Sequence, residues 1–224
     1  MADISDIDIS LSSLKKGMKV DLSNIRNIIF DLGNVLLNLD FDASIKAFHK
    51  LGLSKDFLTI QQVYVDPVFY DLELGTIKTE VFRNRVRELL QNPGASDIQI
   101  DDAWYAMILD IPERRVKTLQ ELSNKYKLYL FSNTNLIHIE RLLPEFKAIH
   151  GIDFPALFEK DFYSHEIHAR KPDISAFEKV IALSGVVPEE TLFVDDIEKN
   201  IEAARKAGLK ALWLHPEMEM ADLF

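Results

Sequence analysis

Five side chains at four points of the sequence have the right types for phosphoryl transfer: Asp31, Ser132, Lys171 and the pair Asp195-Asp196. Asp31 ends the apolar run Ile28-Ile29-Phe30. Ser132, with Asn133 beside it, follows Leu128-Tyr129-Leu130-Phe131. Lys171 lies in Arg170-Lys171-Pro172, just ahead of a helical segment, and Asp195-Asp196 follows Leu192-Phe193-Val194. Carboxylates are hard oxygen donors that suit Mg²⁺, which also keeps water and phosphate oxygens as ligands. Ser132, Asn133 and nearby backbone N–H groups could hydrogen-bond phosphate oxygens. Lys171 supplies one positive charge, and Asp31 could attack phosphorus to form an aspartyl-phosphate that water then hydrolyses.

The elements that must position these groups follow an alternating order. Strands are expected over Ile25–Phe30, Lys127–Phe131, Thr191–Val194 and Lys210–Leu214, with a short one near Phe162–Ile167. Helices are expected over Asp42–Leu51, Glu113–Lys125, Leu136–Leu143, Asp173–Ser184 and Ile197–Ala207, several of them stopped by glycine. Strand–helix alternation predicts an α/β fold with a doubly wound parallel sheet, whose ligands gather at the carboxyl ends of the strands. The stretch from Ser54 to Leu109 is helical throughout and interrupts the alternation. The expected organisation is an extension over 1–24, a core made of 25–40 and 112–224, and an inserted helical cap over 41–111.

Bulk composition narrows the partners. Of 224 residues, 36 are acidic and 26 basic, a net charge of −10. Such a surface repels nucleic acid and anionic membrane. No apolar stretch approaches the roughly 18 residues that span a bilayer, and the N-terminus does not read as a secretory signal. The absence of cysteine fits a reducing cytoplasm. A cytoplasmic monomer or small homo-oligomer acting on a small phosphorylated metabolite is the expectation.

These motifs, in this order over roughly Ile25–Leu214, resemble the haloacid dehalogenase-like (HAD) superfamily, in the branch with a helical cap after the first motif. The resemblance implies that Asp31 is nucleophile and metal ligand, and that Gly33 ligates metal through its carbonyl. It further implies that Ser132 binds phosphate and that Lys171 holds nucleophile and phosphate together. By the same resemblance Asp195 and Asp196 would complete a Mg²⁺ site, with Asp196 the direct ligand.

One departure bears on substrate. Phosphatases of this superfamily mostly read Asp-x-Asp, the second Asp being the acid and base; here that position is Gly33. The form Asp-Leu-Gly-Asn-Val resembles a bacterial subgroup that includes α-D-glucose-1-phosphatase. Loss of a positioned acid–base group costs about 10²–10⁴ in rate, so an ester with a good leaving group, such as a sugar 1-phosphate, is the expected substrate.

A 2-haloacid dehalogenase is the first alternative, although its relatives lack the adjacent acidic pair. A catalytically weak phosphate-binding regulatory protein is the second. His165 and His168 are candidates to replace the missing acid. Phe69, Tyr70 and Glu73, ahead of Gly75, stand near where related caps cover substrate, with ordinary helix packing the preferred reading. The basic residues of Lys78–Arg87 read as a solvated helix face.

Overall fold

The computed structural model describes residues 19–224. The expected extension therefore lies outside the described residues except for 19–24. That part folds back on the C-terminal segment: Val20 N–H donates to Leu223 O at 3.0 Å, and Val20 is buried.

Five strands, β1 (Asn27–Phe30), β2 (Lys127–Ser132), β3 (Lys160–Tyr163), β4 (Thr191–Asp195) and β5 (Lys210–Trp213), form one parallel sheet in the order 3-2-1-4-5. Both faces are covered, as parallel sheets require. Alternation along each strand divides the core. Ile28, Phe30, Leu128, Leu130, Leu192 and Val194 pack on one face. Ile29, Tyr129, Phe131 and Phe193 pack on the other. The strand order reverses between β1 and β4, and an open α/β sheet parts its crossover connections at such a point and leaves a crevice. Asp31 N–H donates to Val194 O at 2.9 Å, so the first expected site residue stands at that reversal.

Core helices α6 (Glu113–Ser123), α7 (Leu136–His150), α9 (Ile174–Ser184) and α10 (Glu198–Lys206) join the strands, with a single turn, α8 (Ser164–Ile167), after β3. The region near Phe162–Ile167 is thus strand only to Tyr163. Helix α7 runs past the expected end at Leu143 through Pro144. Proline deprives a helix of one hydrogen bond, but Pro144 and Glu140 are exposed, so solvent satisfies the freed carbonyl. Leu142 and Phe146, four apart and buried, keep the helix on the core.

Between Leu39 and Ile108, helices α1 (Phe41–Leu51), α2 (Ile60–Val63), α3 (Pro67–Glu73), α4 (Thr79–Leu89) and α5 (Asp97–Tyr105) build a second apolar cluster. Its centre is Trp104, fully buried, with Phe48, Tyr64, Phe69 and Phe82 around it at ring-centroid distances of 5.0–6.3 Å. The basic residues of α4 are pair-bonded within this unit, Arg83 with Asp101 at 2.7 Å and Arg85 with Asp66 at 2.8 Å. The two chain passages into the unit run side by side, joined by an antiparallel bridge between Leu39 and Ile108 and by Asn38 N–H donating to Asp110 O at 2.8 Å.

His138 on α7 ties the two units together. Its Nε2–H donates to Trp104 O at 3.2 Å, and its ring lies 5.1 Å from that indole. Burial holds the imidazole down to about 4, from an ordinary 6.5. Between those values the unfolded chain takes up a proton that the folded chain does not, so stability falls as pH falls. At pH 5 the loss is roughly 2 kcal/mol. The expected result in urea denaturation is that the wild type loses this amount relative to His138→Gln between pH 7 and pH 5, whatever the other titrating groups add to both. An equal loss in both would refute it.

Candidate active site

Asp31, Asp195 and Lys171 meet through strand parity. Asp31 continues the alternation of Ile29, and Asp195 that of Phe193, so both project to one side of adjoining strands. Lys171 lies on that side, its Nζ 5.3 Å from the ring centroids of both Phe131 and Phe193. The ammonium donates to Asp195 Oδ2 at 2.7 Å and lies 2.8 Å from Asp31 Oδ1. Lys171 is 2% exposed, and a lysine so buried needs paired charge. Burial works against its charge, but Asp195 and Asp31 outweigh burial and hold the ammonium above its ordinary value.

Asp31 is differently placed. Burial pushes its carboxyl up to about 7; Lys171 opposes that rise and Asp195 adds to it. Its Oδ1 accepts from Leu32 N–H at 2.7 Å and faces Lys171, leaving Oδ2 without a donor among the described residues.

The adjacent aspartates divide their tasks. Asp195 is fully buried and its oxygens are occupied: Oδ1 accepts from Ile197 N–H and Asn200 Nδ2, and Oδ2 from Lys171 and Asn200 Nδ2. That uses the roughly four acceptor positions a carboxylate has. Asp196 is half-buried and opens on the cavity. It is not the cap of the helix that follows; Ile197 is, without a side-chain bond. Asn34, in the left-handed region at φ 54°, donates to Asp196 Oδ2 at 3.0 Å. Asparagine tolerates that backbone better than most residues.

Asp31, Asp195 and Asp196 each offer a carboxylate oxygen within 4.8 Å of the others. Three carboxylates face one ammonium here, so the cluster carries excess negative charge. Hard oxygen donors in that number fit Mg²⁺. Gly33 lines the same cavity.

Ser132 lines the cavity at the end of β2. Asn133 also touches it, but its amide is committed elsewhere: Oδ1 accepts from Lys171 N–H at 3.0 Å and Nδ2 donates to Lys171 O at 2.8 Å. Reciprocal bonding of this kind fixes the backbone that carries Lys171, a role that sequence reasoning missed.

The cavity, about 490 Å³, lies between the sheet edge and the helical unit, which contributes Phe41, Ile60, Gln61, Tyr64 and Glu73. Glu73 is buried; its Oε1 accepts from the Tyr64 hydroxyl, and its Oε2 is 2.9 Å from Arg170 Nη2. Phe69 belongs to the helical cluster and Tyr70 lies under the Arg170 guanidinium at 4.7 Å. Neither His165 nor His168 lines the cavity. His165 is buried against Tyr163, and His168 Nδ1–H donates to Leu74 O at 2.8 Å. Gly75 sits so close to the His165 carbonyl that an added Cβ would be 2.0 Å from that oxygen.

A lysine and three carboxylates thus gather where the strand order of a doubly wound parallel α/β sheet reverses. The chain belongs to the haloacid dehalogenase-like hydrolase family, which matches residues 25–208. It is 30% identical over 187 residues to D-ribitol-5-phosphate phosphatase of Bacteroides thetaiotaomicron, covering 83% of this chain and 90% of that one. A crystal structure of a HAD family enzyme from Bacteroides thetaiotaomicron, in complex with magnesium and inorganic phosphate, superposes with a TM-score of 0.82 at 34% identity, covering 89% of this chain and 99% of the other. A 2-haloacid dehalogenase from Pseudomonas syringae shares the fold alone, at 19% identity and a TM-score of 0.58 over 84% of this chain and 86% of its own.

Proposed function

We propose that this protein is a Mg²⁺-dependent phosphatase of small sugar or polyol monophosphates. The observation that carries the reading is the Lys171 ammonium held between Asp31 and Asp195 at 2.8 and 2.7 Å, with Asp196 beside them.

In this reading Asp31 Oδ2 attacks phosphorus and the ester oxygen leaves; water then releases phosphate from the aspartyl group. Lys171 holds the nucleophile in place and offsets charge on the transferring group. Ser132 bonds a phosphate oxygen. Asp31, Asp196 and the Gly33 carbonyl would hold Mg²⁺, and Asp195 would orient Lys171 more than it ligates. When bound, the cation neutralises charge on the phosphoryl oxygens. Residues 41–111 act as the cap over a core of 25–40 and 112–224, since Tyr64 and Glu73 line the same cavity as Asp31.

The carboxylate cluster also argues against haloacid dehalogenation, which has no use for a cation here. Family membership as a hydrolase weakens the purely regulatory reading.

Two substrates remain distinct within the proposed class. Gly33 removes the usual proton donor and favours a sugar 1-phosphate, whose anomeric oxygen leaves easily. The relative named for D-ribitol 5-phosphate favours a terminal phosphate of a polyol. Purified protein is expected to hydrolyse an aryl phosphate with Mg²⁺ and to lose that activity with chelator. Glucose 1-phosphate is expected to turn over faster than simple alkyl phosphates; the reverse order would move the reading to polyol phosphates.

Gly33→Asp supplies a second arm. An added Cβ would meet the flexible end of Leu39, Cδ1 at 2.8 Å, and Gly33 has no positive φ that would strain a side chain. Restoring an acid is expected to raise alkyl phosphate turnover at least about tenfold relative to aryl phosphate. Equal gains on both would count against a missing proton donor.

A further inference from the structure

The cavity walls hold two cationic side chains among the described residues, Lys171 and Arg170. Lys171 is taken by Asp31 and Asp195. Arg170 is taken by Glu73, at 2.9 Å, on the wall contributed by the helical unit. Glu73 is 5% exposed, and its second oxygen is held by the Tyr64 hydroxyl. The carboxylates in the same walls are Asp31, Glu73 and Asp196. Away from the phosphate-handling cluster the lining is therefore largely apolar and without spare positive charge. Neutral polar groups in that lining come from Gln61 and Tyr64.

A substrate carrying a second anionic group would lose its water here and meet Glu73 with no free cation to receive it. Burying an unpaired charge is strongly unfavourable. Hydroxyl groups meet no such obstacle, since they both donate to a carboxylate and accept from a guanidinium.

We propose that the Glu73–Arg170 pair is the specificity-determining element of this site, confining it to monoesters whose only charged group is the phosphate. Neutral sugar and polyol monophosphates enter; phosphorylated sugar acids and bisphosphates are rejected. The inference rests on the phosphatase reading above and sharpens it to one substrate class. Glu73 would act on selectivity by cancelling Arg170, which would otherwise attract a carboxylate in bidentate fashion.

The test compares glucose 1-phosphate with glucuronic acid 1-phosphate, which differ by one carboxylate, using full-length protein and Mg²⁺. A second pair is ribitol 5-phosphate and 5-phosphoribonate. The wild type is expected to prefer the neutral member at least tenfold in kcat/KM. Glu73→Gln keeps the shape and frees Arg170, so the preference is expected to fall at least fivefold. Arg170→Gln leaves Glu73 unpaired and is expected to raise it at alkaline pH, where that buried carboxylate is ionised. Opposite shifts are what a merely structural pair would not produce. Should Glu73→Gln not fold, the wild-type preference and Arg170→Gln still decide the matter. An unselective wild type, or variants that leave the ratio unchanged or move it the same way, would overturn the proposal while aryl phosphate turnover stands. No aryl phosphate turnover in the wild type would overturn the phosphatase reading, and this inference with it.

Discussion

Asp31→Asn is expected to cut turnover of any phosphate ester at least about 10³-fold, the scale on which removal of a nucleophile acts. The same substitution is expected to stabilise the metal-free protein at neutral pH. Asparagine keeps an oxygen for the Leu32 N–H, which now donates to Asp31 Oδ1 at 2.7 Å. What it removes is a carboxyl whose ionisation the fold resists, with a folded value of about 7 against an ordinary 3.8. For an acid raised in this way, the penalty is absent below the unfolded value and complete above the folded one. Stability is therefore lost as pH rises from about 4 through 7, on the order of a few kcal/mol. Asparagine escapes that loss. Urea denaturation at pH 7.5 should place the variant above the wild type without metal, and added Mg²⁺ should narrow the gap by favouring the wild-type carboxylate. Residual activity equal to wild type would end the nucleophile assignment. Lower stability of the variant without metal would show that Lys171, not burial, governs this carboxyl.

Lys171→Met should behave oppositely in stability and alike in activity. Its removal leaves Asp31 and Asp195 facing each other in a buried site, both formerly within 2.8 Å of the ammonium. Breaking a buried pair from one side costs about 3–5 kcal/mol. Without the ammonium that opposes burial, the Asp31 carboxyl rises further; its protonation relieves part of that loss, so the destabilisation should shrink as pH falls. Turnover should drop by about 10³-fold or more, since charge on the transferring group and the position of the nucleophile both depend on this side chain. The discriminating measurement is the sign: Asp31→Asn up, Lys171→Met down, in metal-free protein at pH 7.5. Two shifts of the same sign would mean that the cluster is not held together by this lysine. Such a trade, in which a reactive group costs stability, is common at active sites.

The helices and strands were legible wherever burial sets a simple period. Ile28-Ile29-Phe30 and Leu192-Phe193-Val194 are continuous apolar runs because both faces of a central parallel strand are covered. Glycines 52 and 185 marked helix ends because each takes a left-handed conformation there. Pro144 misled because proline breaks a helix only where the lost bond cannot be replaced, and exposure is not written in the local sequence. The segment after Tyr163 misled because Ser164–Ile167 is a single helical turn, too short for a period to emerge.

Site residues separated along a similar line. Asp31, Ser132, Lys171 and the acidic pair could be picked out because each breaks an apolar run or precedes a helix where parallel strands end. Their division of labour could not. Asp195 and Asp196 are equivalent in type and adjacent in sequence, yet one spends all its acceptor positions on Ile197, Asn200 and Lys171 while the other faces the cavity. Asn133 stood as a substrate ligand by its place in the motif, whereas its amide is tied to the Lys171 backbone. Glu73 read as ordinary helix packing because nothing near it in sequence names a partner. Only the approach of Arg170, distant in sequence, explains its burial.

By itself the sequence determined the family, the sheet and the candidate site residues, because these follow from local periods and from motifs at strand ends. Tertiary structure decided which carboxylate is free, what anchors Lys171, and that the second cation in the cavity is already cancelled. Hydrogen-bond capacity and charge pairing depend on partners brought from far along the chain, and no local pattern records them.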